Sequence, residues 1–245
     1  MAGAAAPIRH IVAMGGGGFS EEPETPLLDD FVLGLTGHAR PRVCFVPTAS
    51  GDAQRYLDKF YAAFPDERAQ TTHLSLFRDV GISDWEPVLL DQHVIYVGGG
   101  STVNMLAIWR AHGIDRVLRA AWEAGVVLAG ISAGMVCWFE ACLTDSFGGG
   151  PAPLLDGLGL IPGSACPHYD AEPERRPAYQ RFIAEGALPA GFAADDGAAL
   201  HFVGATLAEV VASRPDARAY RVHREGDRAV EEPLPARYLG AVAQA

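Results

Sequence analysis

The chain has 245 residues and 26.0 kDa, with 49% apolar and 20% charged residues, enough to bury a large core and too apolar for a disordered chain. Acidic residues outnumber basic ones 30 to 19, a formal charge of −11, which argues against a grip on nucleic acid or on anionic lipid. No run reaches the roughly 18 apolar residues of a membrane span, and the first seven residues lack the basic flank and apolar stretch of a signal peptide, so a cytoplasmic location is expected.

The hydrophobic pattern sets out the elements in chain order. Arg9 to Met14 reads as a strand, and Thr25 to Leu35 places apolar groups at helical spacing. A strand at Val43 to Val46 and a helix at Ala53 to Phe64 follow. Strands at Thr72 to Leu76 and Val94 to Val97 lead into helices at Val103 to Ala111 and Asp115 to Ala124. Val126 to Ile131 is a strand again, and Ala133 to Cys142 reads as a helix. The strand runs are nearly continuous in apolar residues, as in a parallel sheet covered by helices on both faces. Beyond about Gly191 the pieces Ala198 to Val203, Leu207 to Val211 and Ala219 to His223 follow one another without a helix, which predicts antiparallel strands. No repeat or long linker divides the chain, so one domain is expected over 1–245, ordered over about 7–225. Cys44, Cys137, Cys142 and Cys166 show neither Cys-x-x-Cys nor a histidine at ligand spacing, which predicts buried, reduced thiols and no metal.

Three glycine-rich turns follow strands: Gly15 to Gly18, Gly98 to Gly100, and Gly130-Ile-Ser-Ala-Gly134. In an open α/β sheet ligands bind beyond the carboxyl ends of the strands, so all three belong at one edge. The first is a weak dinucleotide signal, because the helix starts only near Thr25 and Glu21 and Glu22 would repel a pyrophosphate. The third places Ser132 between two glycines at a strand-to-helix junction, the arrangement of a nucleophile elbow and equally that of a serine helix cap. A nucleophilic serine needs a base. Of eight histidines, His168 lies in a loop, Cys166-Pro-His-Tyr-Asp170, where catalytic groups concentrate; the other seven read as structural or surface groups.

With Gly98-Gly-Gly-Ser-Thr-Val-Asn104, Gly130-Ile-Ser-Ala-Gly134 and Pro167-His-Tyr-Asp170 in this order and spacing, the chain resembles the peptidase E family of serine peptidases. These are the aspartyl dipeptidases, with cyanophycinase as a relative, and the likeness runs from about Pro7 to Val222. The resemblance implies an α/β fold, flavodoxin-like and related to class I glutamine amidotransferases: a mostly parallel sheet flanked by helices, with added antiparallel C-terminal strands. It implies hydrolysis of short peptides, among them dipeptides with N-terminal Asp. Ser132 matches the nucleophile and His168 the base. Asp196, in Ala194-Asp-Asp-Gly197, stands where peptidase E carries a glutamate; Asp145, in Leu143-Thr-Asp-Ser146, is the alternative acid.

On this reading the oxyanion is met by the amide of Ala133 and that of Gly99 or Gly100. Arg176, with Arg175 beside it, matches the substrate-binding arginine and would fork onto an acidic side chain. The partner is a small peptide, no cofactor or metal is called for, and a homodimer is compatible with the reading. A non-peptide esterase or amidase, or a non-catalytic small-molecule-binding protein on the same scaffold, stays open at this stage, because function resides in the site. The loop from Ser146 to Pro153, with Gly148 to Gly150, has the composition of a lid and equally of plain slack.

Overall fold

The computed structural model describes residues 6–77 and 84–241. The chain opens with β1 (His10–Met14), α1 (Gly18–Glu21), α2 (Leu27–Gly34), β2 (Arg42–Val46), α3 (Gln54–Ala63), β3 (Gln70–His73), α4 (Glu86–Leu90) and β4 (Val94–Val97). Next come α5 (Thr102–His112), α6 (Ile114–Glu123), β5 (Val127–Ile131), α7 (Ala133–Val136), β6 (Phe139–Thr144), β7 (Ala152–Leu154) and β8 (Ile161–Cys166). The last part holds α8 (Arg175–Ala184), β9 (Gly191–Ala194), β10 (Ala198–Val203), β11 (Thr206–Ala212), β12 (Ala219–Glu225), β13 (Arg228–Leu234) and β14 (Ala236–Tyr238).

Two sheets result. The first has eight strands in the order β14-β11-β10-β1-β5-β4-β2-β3. Its segment β1-β5-β4-β2-β3 is parallel throughout, while β10 pairs antiparallel with β1 and β11 antiparallel with β10. The strands β3-β2-β4-β5 follow the 2-1-3-4 order of a flavodoxin-like sheet, and the fifth place is taken by β1, the first strand in the chain. A mixed α/β fold is therefore present, with a strand order of its own. The second sheet, β13-β12-β9-β8-β6-β7, was not foreseen from the hydrophobic pattern.

That second sheet accounts for the departures from expectation. The helix after Ser132 ends at Val136 instead of Cys142, because Phe139–Thr144 leaves it to pair with β8. Of the C-terminal strands, β10 and β11 do extend the first sheet antiparallel, but β12 pairs with β9 and β13 in the second. Regular elements continue to Tyr238, past the expected end near residue 225.

Alternate residues of the parallel strands feed two apolar layers. Val12, Met14, Val43, Phe45, Val94 and Tyr96 pack against Leu28, Val32, Phe60 and Phe64 of the α2–α3 side. Ile11, Ala13, Cys44, Val46, Ile95 and Val97 pack against Trp109, Leu118 and Trp122 of the α5–α6 side. Both faces of the sheet are covered, which explains the continuous apolar runs. A third cluster joins α8 to the second sheet through Tyr169, Tyr179, Ile183 and Val222. All four cysteines are buried and free of disulfides. Among the described residues no helix is long and apolar enough to cross a membrane.

Candidate active site

Parallel strands end at one edge, so Met14, Val46, Val97 and Ile131 deliver their following turns to the same place. Ser132 leaves β5 there at φ 57°, ψ −111°, a left-handed conformation that non-glycine residues rarely adopt. Its amide donates to Met14 O at 3.1 Å, and its carbonyl accepts from Met135 and Val136, the first turn of α7. The flanking glycines are steric necessities: a Cβ on Gly130 would stand 2.3 Å from Gly134 O, and one on Gly134 would stand 2.3 Å from Val97 O. Three described non-glycine residues have positive φ: Ser132, His168 at 51° and Asp52. Asp52 has a structural reason, since its Oδ2 accepts the amides of Leu76 and Phe77 at 2.6 and 2.8 Å. The other two share a cavity.

That cavity, of about 420 Å³, is lined by Ser132, His168, Gly99, Gly100, Tyr56 and Glu21; Arg55 and Lys59 of α3 line it as well. His168 follows β8, and its backbone is pinned by donating to Gly15 O at 3.3 Å. Its Nδ1 meets Asp196 Oδ1 at 2.6 Å. Burial opposes the imidazolium, but the hydrogen bond and charge of Asp196, with Glu21 and Glu172 adding to them, outweigh it and raise the His168 pKa above its ordinary value. None of the other seven histidines lines this cavity.

Asp196 reaches His168 because β1 pairs with β10, which carries the preceding turn alongside Gly16. The approach is close enough that a Cβ on Gly16 would overlap Asp196 Oδ1 at 2.1 Å. Asp170, the last residue of the Pro-His-Tyr-Asp segment, locks the same turn by accepting the Asp196 amide at 2.8 Å. Arg214 ties it again, through Asp170 Oδ2 at 3.3 Å and the Asp196 carbonyl. The functions of Gly15, Gly16 and Asp170 were not visible in the sequence.

Other expected site residues fall elsewhere. Asp145, the alternative acid, faces the Arg175 guanidinium at 3.5 Å, and the structure does not bring it to His168. Arg175 is 4% exposed at its side chain and is held by Glu172 at 2.6 Å and by Leu143 O at 3.5 Å as well. Arg176 pairs with Glu231 and lies over the rings of Tyr169 and Tyr220, at 5.2 and 5.0 Å from their centroids. Glu231 also accepts from Tyr169 Oη at 2.6 Å and Gln180 Nε2 at 2.9 Å. Neither arginine lines the cavity, and both have internal partners, so the structure does not bring the expected carboxylate clamp to Ser132.

The three expected oxyanion donors separate too. The Gly99 amide donates to Tyr56 Oη at 3.1 Å and is engaged. Among the described residues no acceptor takes the amide of Gly100 or of Ala133. The 146–153 loop lies outside the cavity lining; its start is fixed by Ser146 Oγ, which accepts the Thr102 amide at 2.8 Å, and its end by the pairing of β7 with β6.

Comparison with known proteins bears on this arrangement. Residues 11–210 match the description of peptidase family S51. The chain is 50% identical over 233 residues to the uncharacterized peptidase YgaJ of Bacillus subtilis (strain 168), covering 95% of this chain and 100% of that one. Among solved structures, a peptidase from an acI-B1 actinobacterium superposes with a TM-score of 0.70 at 17% identity, over 94% of this chain and 95% of that one. A peptidase E protein from Listeria monocytogenes EGD-e gives 0.56 at 18% identity, over 83% and 96%. These two structures speak for the fold alone.

Proposed function

Because the chain belongs to peptidase family S51, we propose that it is a serine peptidase of short peptides, with Ser132 as nucleophile, His168 as general base and Asp196 as the orienting acid. The observation that carries this reading is the strained Ser132 at the end of β5, in one cavity with a His168 whose Nδ1 meets Asp196 at 2.6 Å.

In the proposed reaction Ser132 Oγ attacks the scissile carbonyl while His168 Nε2 takes its proton. Asp196, accepting a hydrogen bond from Nδ1–H, fixes the tautomer and stabilises the imidazolium. The oxyanion then meets the amides of Gly100 and Ala133, which lack other acceptors among the described residues. A donor of this kind contributes about 3 to 4 kcal/mol to the transition state. The imidazolium next protonates the leaving amine, and water hydrolyses the acyl-enzyme by the same route in reverse.

A substrate carboxylate, such as that of an N-terminal Asp, finds its cations on α3. Arg55 has no ionic or hydrogen-bonding partner among the described residues, and Lys59 donates to Ser20 O at 2.7 Å without a carboxylate beside it. A panel of dipeptides with Asp, Ala or Lys first tests the reading. Turnover of Asp-x above Lys-x is expected, with loss in Ser132→Ala and a weakening of the Asp preference of about tenfold in Arg55→Ala. Folded protein that hydrolyses none of these dipeptides overturns it.

A further inference from the structure

Glu21 is the carboxylate of the cavity that the triad leaves unused. It closes α1 and remains open to solvent, yet it is held in place: its Oε2 accepts the Gly17 amide at 2.7 Å. It presents an oxygen within 4.8 Å of the ligating atoms of His168 and Asp196, and it is the one acid among the described residues lining the cavity. The acids around it have partners. Glu22 takes Ser213 Oγ at 2.6 Å and faces Arg214 at 3.5 Å; Glu172 takes Arg175; Asp196 takes His168. Among the described residues Glu21 has no cation of its own and no partner for Oε1.

Although the residue is open to solvent, desolvation of its carboxyl raises the Glu21 pKa above its ordinary value against the opposing pull of the Gly17 amide and His168, and Asp196 and Glu22 add to the rise. Such a site lacks a positive charge. An ammonium would supply it, and a peptide has one where it is needed: the α-nitrogen of an N-terminal residue lies about 2.5 Å from the carbonyl carbon that the nucleophile attacks. The cavity is dipolar as well, with Glu21 beside His168 and the cations Arg55 and Lys59 on α3. That distribution matches a zwitterion.

We propose that Glu21 receives the α-ammonium of the substrate's first residue and so restricts the peptidase to peptides with a free amino terminus. This rests on Ser132 being the nucleophile. It makes Glu21 a specificity residue, distinct from a residue that acts only through the charge of His168.

The experiment compares a dipeptide with its N-acetyl form. Wild-type protein at pH 7 should prefer the free dipeptide in kcat/KM by about 10- to 100-fold, the worth of a charge-assisted hydrogen bond. In Glu21→Gln, whose amide oxygen can still accept from Gly17, the ratio should fall towards one. Were Glu21 only to tune His168, both substrates would lose together, the ratio would stand, and the proposal would be overturned. The wild-type ratio gives a second reading that needs no variant. It should decline above about pH 8, as the α-amine loses its proton; a ratio of one, or one unchanged from pH 7 to 9, also overturns the assignment. Fluorophosphonate labelling of Ser132 separates the two levels: labelling with a ratio of one removes only the ammonium site, and absence of labelling removes the peptidase reading with it.

Discussion

The cavity at Ser132 and the arginine cluster at the start of α8 are both dense in charge, and they differ in who supplies the partners. At α8 the chain supplies them all: Arg175 has Glu172, Asp145 and a carbonyl, and Arg176 has Glu231 and two tyrosine rings. At the cavity the chain leaves Glu21 and Arg55 without ionic partners and two amides without acceptors among the described residues, and it bends Ser132 and His168 into left-handed backbone. Charge compensated internally holds a fold together; charge and strain left over at a concave edge are where a ligand completes the structure.

The largest effects should follow from the proposed triad. Ser132→Ala and His168→Ala should each lower kcat/KM by about 10⁴-fold, and Asp196→Asn by a similar factor through the wrong tautomer. Asp145→Asn, on the arginine side, should change kcat/KM less than threefold, measured on the same dipeptide. Equal losses at the two aspartates would erase the contrast between the regions.

Arg175 should matter to stability instead. Arg175→Ala removes a buried guanidinium and leaves Glu172, Asp145 and the Leu143 carbonyl without it; the two acids are 45% and 59% exposed, so a loss of about 1 to 2 kcal/mol is expected from denaturant unfolding. Turnover of the folded fraction should stay near wild type. Arg176→Ala, at a pair whose arginine side chain is 47% exposed, should cost under about 1 kcal/mol and leave Asp-x hydrolysis unchanged. A selective loss of Asp-x turnover in that variant would return Arg176 to substrate binding.

Acidity should sharpen the picture further, with a smaller effect. His168 must be neutral to act as base, and its pKa is raised by Asp196, Glu21 and Glu172. The rate should therefore fall as pH drops, with a midpoint above the ordinary histidine value of about 6.5. In Glu21→Gln one of the raising charges is gone, so the midpoint should move down. A profile of kcat/KM against pH for the two proteins measures this, and an upward shift would contradict the assigned contacts.

What the sequence discloses depends on how far apart the cooperating residues lie. Ser132 is legible because its two glycines stand two residues to either side of it in the chain, although the steric reason for Gly134 lies with Val97 of β4. His168 shows through its loop position, and Asp196 only through the resemblance, since its reach to His168 depends on β1 pairing with β10. Gly16 carries no signal of its own: its lack of a Cβ makes sense once Asp196 lies against it. The partners of Arg175 and Arg176 are hidden for the converse reason. A cation beside a loop histidine looks available in one dimension, while Glu231 arrives from β13 to pair with Arg176. The parallel half of the fold was readable from its continuous apolar strands, whereas the second sheet was hidden because β6 follows so closely on α7 that the two read as one helix.

The central claim is that one serine, activated by His168 and Asp196, carries the chemistry. Mapping a fluorophosphonate adduct by mass spectrometry tests it most directly. One adduct per chain on Ser132, absent in Ser132→Ala and strongly slowed in His168→Ala and Asp196→Asn, is the expected result. Folded wild-type protein that takes no adduct, or takes it on another residue, would contradict the account.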